Sequence, residues 1–211
     1  MKERESDEFW EPGAAAAAEV KVKRSLFIGR LCPCKDREEV RSILADVELR
    51  HRDATHHCWA YRLGPEPEVE HSSDGGEPAG TAGKPILSAI KQSGMFNLTI
   101  IVTRYFGGIK LGVRGLREAY GQTAASVLER VVPALRVRSR RLVIRFPYAI
   151  IGEITHYLEG HGMIDAPTWN CGSEVELAAN VKASCVSEIE AALDEIQLKK
   201  RIHSWNWVAP H

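Results

Sequence analysis

The chain has 211 residues, an apolar fraction of 44%, and equal numbers of basic and acidic side chains at 28 each. That length fits one large domain or two small ones, and that apolar content is enough for a core. Zero net charge excludes any argument for nucleic acid or membrane from global electrostatics, so such an argument has to rest on local charge.

The opening MKERESDEFW is charged and has no apolar core, and no apolar run approaches the roughly 20 residues of a membrane span. Of five cysteines, only Cys32 and Cys34 lie close together in sequence. The expectation is a cytoplasmic protein with reduced thiols and no membrane segment.

Residues 1–19 are acidic and then alanine-rich, and read as a flexible tail. Val20 to Leu31 reads as one strand. Asp36 to His51 reads as a helix, with Val40, Ile43, Leu44 and Val47 on one face and Asp36 and Glu39 at capping-box spacing. His57 to Leu63 reads as a strand with Trp59 and Tyr61 on one face, and Gly64 to Ser73 as a loop.

The next segment, Asp74 to Gly121, carries the most information: DGGEPAGTAGKPILSAIKQSGMFNLTIIVTRYFGGIKLGVRGLREAYG. Two glycine-rich loops flank one helix and one apolar strand. Glycine at this density marks a backbone that bends sharply or lies against something else. Pro85 suits the start of a helix ending near Gly94, and Leu98 to Arg104 reads as a buried strand. Gly107, Gly108, Gly112 and Gly115 then punctuate a loop before a helix from about Leu116 to Val131.

Pro133 closes that unit. Beyond it come a strand (Arg138 to Phe146), a helix (Tyr148 to Glu159), a strand pair (Met163 to Cys171, Glu174 to Ala183), a helix marked by Val186, Ile189, Leu193 and Ile196, and a strand (His203 to Val208). The order βαββαβ is the ferredoxin-like pattern, which by itself decides no function.

Four chemistries are open to these residues. The glycines before the last helix of the first half make an anion site with Arg104, Lys110 and Arg114, although neither a P-loop nor a GxGxxG fingerprint is present. A tight packing loop explains the same glycines equally well. Cys32, Cys34, His56, His57 and Cys58 are metal-binding types without metal-site spacing, so no metal and no cofactor is expected. His57, Asp74, Glu77 and Thr81 form a second-loop group; the last three read more readily as turn and cap residues than as catalysts, which argues against an enzyme. Nucleic acid is suggested by two local basic groups. One is Arg104, Lys110, Arg114 and Arg117, with Tyr105 and Phe106 available for stacking. The other is an alternating stripe of Arg136, Arg138 and Arg140, whose competing reading is a paired, solvated face.

DGGEPAGTAGKPIL, VTRYFGGIKLG and GLREAYG, with THHCWAYR upstream, resemble the signature of the Impact/YigZ family (UPF0029). The resemblance covers about residues 20–132, and the βαββαβ part resembles the C-terminal domain of the bacterial YigZ branch. It implies an α+β protein: a ribosomal protein S5 domain 2-like α/β sandwich over 20–135, then a ferredoxin-like domain, similar to a module of elongation factor G, over 136–211. The resemblance implies eukaryotic relatives that regulate translation by interfering with activation of the general-control kinase; they carry an added RWD domain that is not expected here, so that partner is not carried over.

The family pattern KLGxGGLVRAYG differs here: Arg114 replaces a glycine, and Glu118 replaces an arginine, with Arg117 one position earlier. The combined expectation is a non-enzymatic protein that binds RNA or the ribosome and modulates translation, with the backbone of Gly107 and Gly108 open to close approach. Two alternatives stand beside it: an enzyme or sensor with a small phosphorylated or nucleotide ligand in the glycine-loop pocket, and a protein-interaction module.

Overall fold

The computed structural model describes residues 7–65 and 67–208. They fold as two units, one of residues 9–136 and one of 137–208 with Asp7 and Glu8. Both mix helices with antiparallel sheets, as an α+β chain should.

The first unit begins with β1 (Glu8–Pro12) and β2 (Ala16–Val22), where a loose tail was expected. Residues 1–6 of that tail lie outside the described residues; of the rest, 8–12 and 16–19 are corrected to strand. Alanine favours helix, yet pairing with β3 (Ser25–Pro33) and burial of Ala18 override the propensity. The single expected strand from Val20 to Leu31 is therefore a hairpin, turned at Lys23 with φ +52°.

Helix α1 (Arg37–Arg50) is capped by Asp36, which accepts from the N–H groups of Glu38 and Glu39. Glu39 reaches back to Lys35 N at 2.7 Å, completing the box one residue further out than expected. Strand β4 (His56–Leu63) pairs with β5 (Val69–Ser73), which occupies the second half of the expected loop. Helix α2 (Gly83–Ser93) ends at Gly94 in the left-handed conformation. Strand β6 (Leu98–Tyr105) is buried along nearly its whole length. Helix α3 (Gly112–Leu128) starts earlier than expected, so Gly112 and Gly115 lie inside it. Strand β7 (Pro133–Val137) returns to pair with β1.

The main sheet runs β2-β3-β6-β4-β5. Its centre, β6, is an apolar run because helices cover both faces. On one face α2 and α3 enclose Phe27, Leu31, Ile86, Ile90, Tyr120 and Val127. On the other, α1 packs a smaller cluster of Cys34, Val40, Tyr61 and Leu63.

The second unit holds β8 (Ser139–Phe146), α4 (Ile151–Gly160), β9 (Thr168–Cys171), β10 (Val175–Lys182), α5 (Val186–Leu198) and β11 (Ser204–Val208). The sheet order is β11-β8-β10-β9, all antiparallel. Strict alternation along β10 puts Val175, Leu177, Ala179 and Val181 into the core with Ile154, Leu158, Ile189 and Leu193. Among the described residues, no helix is long and apolar enough to cross a membrane.

Candidate functional site

The two glycine-rich loops meet over neighbouring strands. His56 on β4 and Arg104 on β6 are register partners, and the loops of residues 74–83 and 106–111 rise beside them.

Asp74 organises the first loop. Its Oδ2 accepts from Gly80 N at 2.8 Å, and its Oδ1 accepts from Ala82 N and Gly83 N at 2.9 Å each. Burial would raise its pKa, but the three N–H bonds outweigh that and hold the carboxyl below its ordinary value. Asp74 thus caps α2 from outside the helix, where Ala82 has no side chain to do so. Thr81, expected in that role, donates its hydroxyl to Pro78 O at 2.7 Å instead. The Cys58 thiol donates to Asp74 O at 2.9 Å, and burial pushes it up to about 12, so it remains a protonated packing group.

Glu77 forms the floor. Its side chain is only 3% exposed, and Oε1 accepts from Arg104 Nη1 at 2.6 Å and from Tyr120 Oη at 2.8 Å. His56 Nε2 lies 4.0 Å from the same oxygen. Burial and the nearby Cys58 and Glu77 push the Tyr120 phenol up, so it stays a donor. His56 Nδ1 is 3.0 Å from Gly75 O. A carbonyl only accepts, so Nδ1 carries the proton and, in the neutral ring, Nε2 presents a lone pair.

Arg104 is 5% exposed, and its guanidinium lies between the rings of Phe27 and Phe106, at 5.4 and 5.3 Å from their centroids. Its Nε is enclosed without a partner.

Above this floor opens a cavity of about 450 Å³, walled by Phe106, Leu111, Val113 and Leu116, with Lys110 at its edge. That volume lies within the range of small-ligand pockets.

The structure divides the expected site residues. Phe106 and Lys110 stay together and exposed beside the cavity. Arg104 is drawn into the floor as the partner of Glu77, so it is not a free phosphate ligand. Tyr105 faces the opposite side of the sheet, its hydroxyl 2.9 Å from His51 Nδ1 and donating to Asp53. Gly107 approaches closely, but to its own chain: a Cβ there would lie 1.9 Å from Arg24 O. Gly108, at φ +81°, has open space around its Cα.

Arg114 is fully solvated and bonds Glu118 at 2.8 Å, while Arg117 donates to Gly80 O at 3.2 Å. His57 points away from the cavity toward Thr103 Oγ1 at 3.1 Å, and desolvation lowers its pKa. The residue that faces the cavity is His56.

Among the described residues, no group of three or more His, Cys, Asp or Glu side chains is placed to hold a metal ion. The arginine stripe is paired: Arg136 with Glu11 at 2.6 Å, Arg138 with Asp7 at 3.6 Å, and Arg140 with Glu190 at 3.8 Å and over the Trp207 ring. Arg136 belongs to the first unit and the other two to the second.

A third basic group, which the sequence reading does not contain, lies at the β2–β3 hairpin. Lys23 and Arg24 form the tip of the β2–β3 hairpin, and Gly107 N donates to Ser25 Oγ at 3.2 Å just beside it. Lys23, Arg24 and Lys110 are exposed and, among the described residues, make no ion pair. The sequence signal was present: a KVKR run at a hairpin tip with no acidic neighbour inside it.

Residues 23–128, which contain both loops and the cavity, match the Impact N-terminal domain. The chain belongs to the IMPACT family. It is 34% identical over 144 residues to IMPACT family member YvyE of Bacillus subtilis, covering 68% of this chain and 66% of that protein, so it spans just under two thirds of that relative. It is 37% identical over 145 residues to the IMPACT family member in the pol 5′ region of Thermus thermophilus, covering 69% of this chain and 74% of the relative. A crystal structure described as that of a hypothetical protein superposes over 97% of this chain and 98% of its own, with TM-score 0.66 and 29% identity. The two departures from the IMPACT signature, Arg114 and Glu118, neutralise each other on the solvent face of α3.

Proposed function

We propose that this IMPACT family member is a non-enzymatic, cytoplasmic protein that binds RNA or the ribosome and modulates translation. The observation that carries the reading is the unpaired group of Lys23, Arg24 and Lys110 around the half-exposed ring of Phe106. Cations not committed to carboxylates are free to exchange counterions for phosphates, and an exposed ring beside them is a platform for a base. The translational setting is supported by the resemblance to eukaryotic family members that regulate translation, within a family whose N-terminal domain matches residues 23–128. We further assign the domain within 20–135 to the S5 domain 2-like class and 136–211 to the ferredoxin-like class; the order β11-β8-β10-β9 supports the latter.

The test is a salt titration of binding to ribosomes and to structured RNA. Affinity should fall steeply with salt. Replacing Lys23, Arg24 and Lys110 by alanine should reduce the logarithmic slope by about 2–3, at roughly 0.7–0.9 per lost phosphate contact. No binding to either target at low salt would sink the proposal.

A further inference from the structure

We propose that the cavity beside the second glycine loop binds one nucleoside monophosphate unit, either as a free nucleotide or as the phosphorylated end of an RNA. The free-nucleotide form stands on the cavity alone; the RNA-end form rests also on the RNA-binding reading above.

The floor offers acceptors. All hydrogen bonds to Glu77 fall on Oε1. Among the described residues Oε2 accepts none, and Glu77 lines the cavity. The floor therefore holds a carboxylate oxygen with no protein donor, on a side chain that is 3% exposed. It is an acceptor available to an N–H or O–H group of a ligand. In the neutral ring His56 Nε2, left bare by the Nδ1–H bond to the Gly75 carbonyl, adds a second such point.

The mouth offers the opposite chemistry. Gly112 and Val113, the first residues of α3, line the cavity. The helix has no side-chain cap at Leu111 and no acidic residue in its first turn. Its first N–H groups lack partners within the helix and carry the positive end of its dipole. Lys110 adds a full charge at the same edge. This end takes an anion.

Between floor and mouth the wall is apolar, and Phe106 supplies a ring whose side chain is 45% exposed. The ligand that matches all three zones has an anionic group, a flat body that stacks, and a hydrogen-bond donor at the far end. A nucleoside monophosphate has a phosphate, a base, and amino or hydroxyl donors.

The test uses the full chain. In one arm, AMP, CMP, GMP and UMP are added at about 10 mM in a thermal-unfolding assay, with adenosine and inorganic phosphate as separate controls. At least one monophosphate should raise Tm more than either control. In the second arm, short RNA oligonucleotides with a 5′-phosphate or a 5′-hydroxyl are compared by fluorescence anisotropy.

Val113→Trp, at an exposed position, fills the mouth without disturbing the core and should abolish the effect in whichever arm shows it. Phe106→Ala should weaken binding about tenfold through lost stacking. Lys110→Ala should narrow the gap between monophosphate and nucleoside.

A response in the first arm assigns a free nucleotide; a preference confined to the second assigns an RNA end. No response in either arm overturns the proposal, as does a response that Val113→Trp leaves unchanged. RNA binding that persists in Val113→Trp with no end preference would overturn the cavity while leaving the basic hairpin reading intact. Nucleotide binding without any RNA binding would do the reverse.

Discussion

The two glycine-rich loops look alike in sequence and do opposite things in the fold. The first, residues 74–83, turns its polar groups inward. Asp74 takes three of its N–H groups and Glu77 is bound by Arg104 and Tyr120. The second, residues 106–111, is fixed only at its start, where Phe106 N donates to Thr55 Oγ1 at 3.0 Å and Gly107 N to Ser25 Oγ at 3.2 Å. After that Ile109 and Lys110 are exposed, Leu111 packs partly against the core, and the helix it feeds has no side-chain cap. Helix α2 has its N-terminal donors satisfied from within the chain, and α3 does not. Glycine content marks both places, but only the unsatisfied one presents donors and charge to a partner.

The sharpest way to break the contrast is Glu77→Ala. It leaves the Arg104 guanidinium enclosed with no carboxylate, and Tyr120 without an acceptor. Breaking a buried pair from one side costs about 3–5 kcal/mol, far more than any surface pair. Denaturant unfolding should show this as a lower midpoint with unchanged slope. A loss below about 1 kcal/mol would mean that the first loop is not held from its floor.

Gly107→Ala attacks one of the two hydrogen-bonded anchor points of the second loop. The new Cβ would meet the Arg24 carbonyl at 1.9 Å, and that atom is backbone, which cannot step aside like a side-chain tip. The hairpin tip and the loop have to separate, at an expected cost of about 2–3 kcal/mol. Because the same shift moves Lys23 and Arg24 away from Lys110, RNA affinity should fall as well. Gly108→Ala, with open space around it but φ +81°, should cost less and leave the hairpin in place.

Asp74→Ala removes the acceptor for three N–H groups and should cost about 1–2 kcal/mol. Its pH dependence has a definite sign. The folded pKa of Asp74 lies below its ordinary 3.8, so the unfolded chain binds the proton first as pH falls. The carboxylate's contribution is fully present above the unfolded value and is lost as pH drops through the lowered folded value. Asp74→Asn should therefore flatten the stability curve on the acid side, below about pH 4, and match the wild type's pH dependence at neutral pH.

Much of this contrast was legible from sequence, but not the part that separates the loops. Periodicity located α1, β10 and α5, because each has a continuous apolar face, while Pro85 and Gly94 bracketed α2 and an unbroken apolar run marked β6. It overran β9: the expected strand from Met163 to Cys171 is Thr168–Cys171 alone, and all four of its residues are exposed. It failed where a turn used no turn residue. Lys23 adopts φ +52° without being glycine, so one strand was read where a hairpin stands. The second half of 64–73 was read as loop because prolines precede it, although Val69–Ser73 pairs with β4.

At the site, the sequence offers Arg104 as a phosphate ligand, because its partner Glu77 lies 27 positions away. A charge ending the apolar run LTIIVT was itself a sign of a buried, paired group. From sequence, His57 falls in the second-loop group, whereas His56, which shares strand parity with Cys58 and Ala60, is the one that lines the cavity. Both parities of β4 carry buried residues, Tyr61 and Leu63 on the His57 side, so burial alone does not separate the two histidines.

The smallest effect is the most informative about the family signature. Arg114 and Glu118 both depart from it, and both sit on the solvent face of α3, with side chains 93% and 63% exposed. Glu118 holds the Arg114 guanidinium above its ordinary pKa, but the charge is permanent at any working pH in either case. An exposed i, i+4 pair with the cation on the N-terminal side is the weaker orientation, because arginine then faces the positive end of the helix dipole. Arg114→Ala should shift Tm by no more than about 1 °C. It also frees Glu118 next to a surface proposed to receive phosphate, so RNA affinity should drop slightly and more at low salt. Arg114→Gly with Glu118→Arg restores the family pattern and adds a cation on the same face, and should raise RNA affinity while leaving Tm close to wild type. An unchanged affinity in that double variant would confine phosphate contact to the hairpin and the second loop, away from the exposed face of α3.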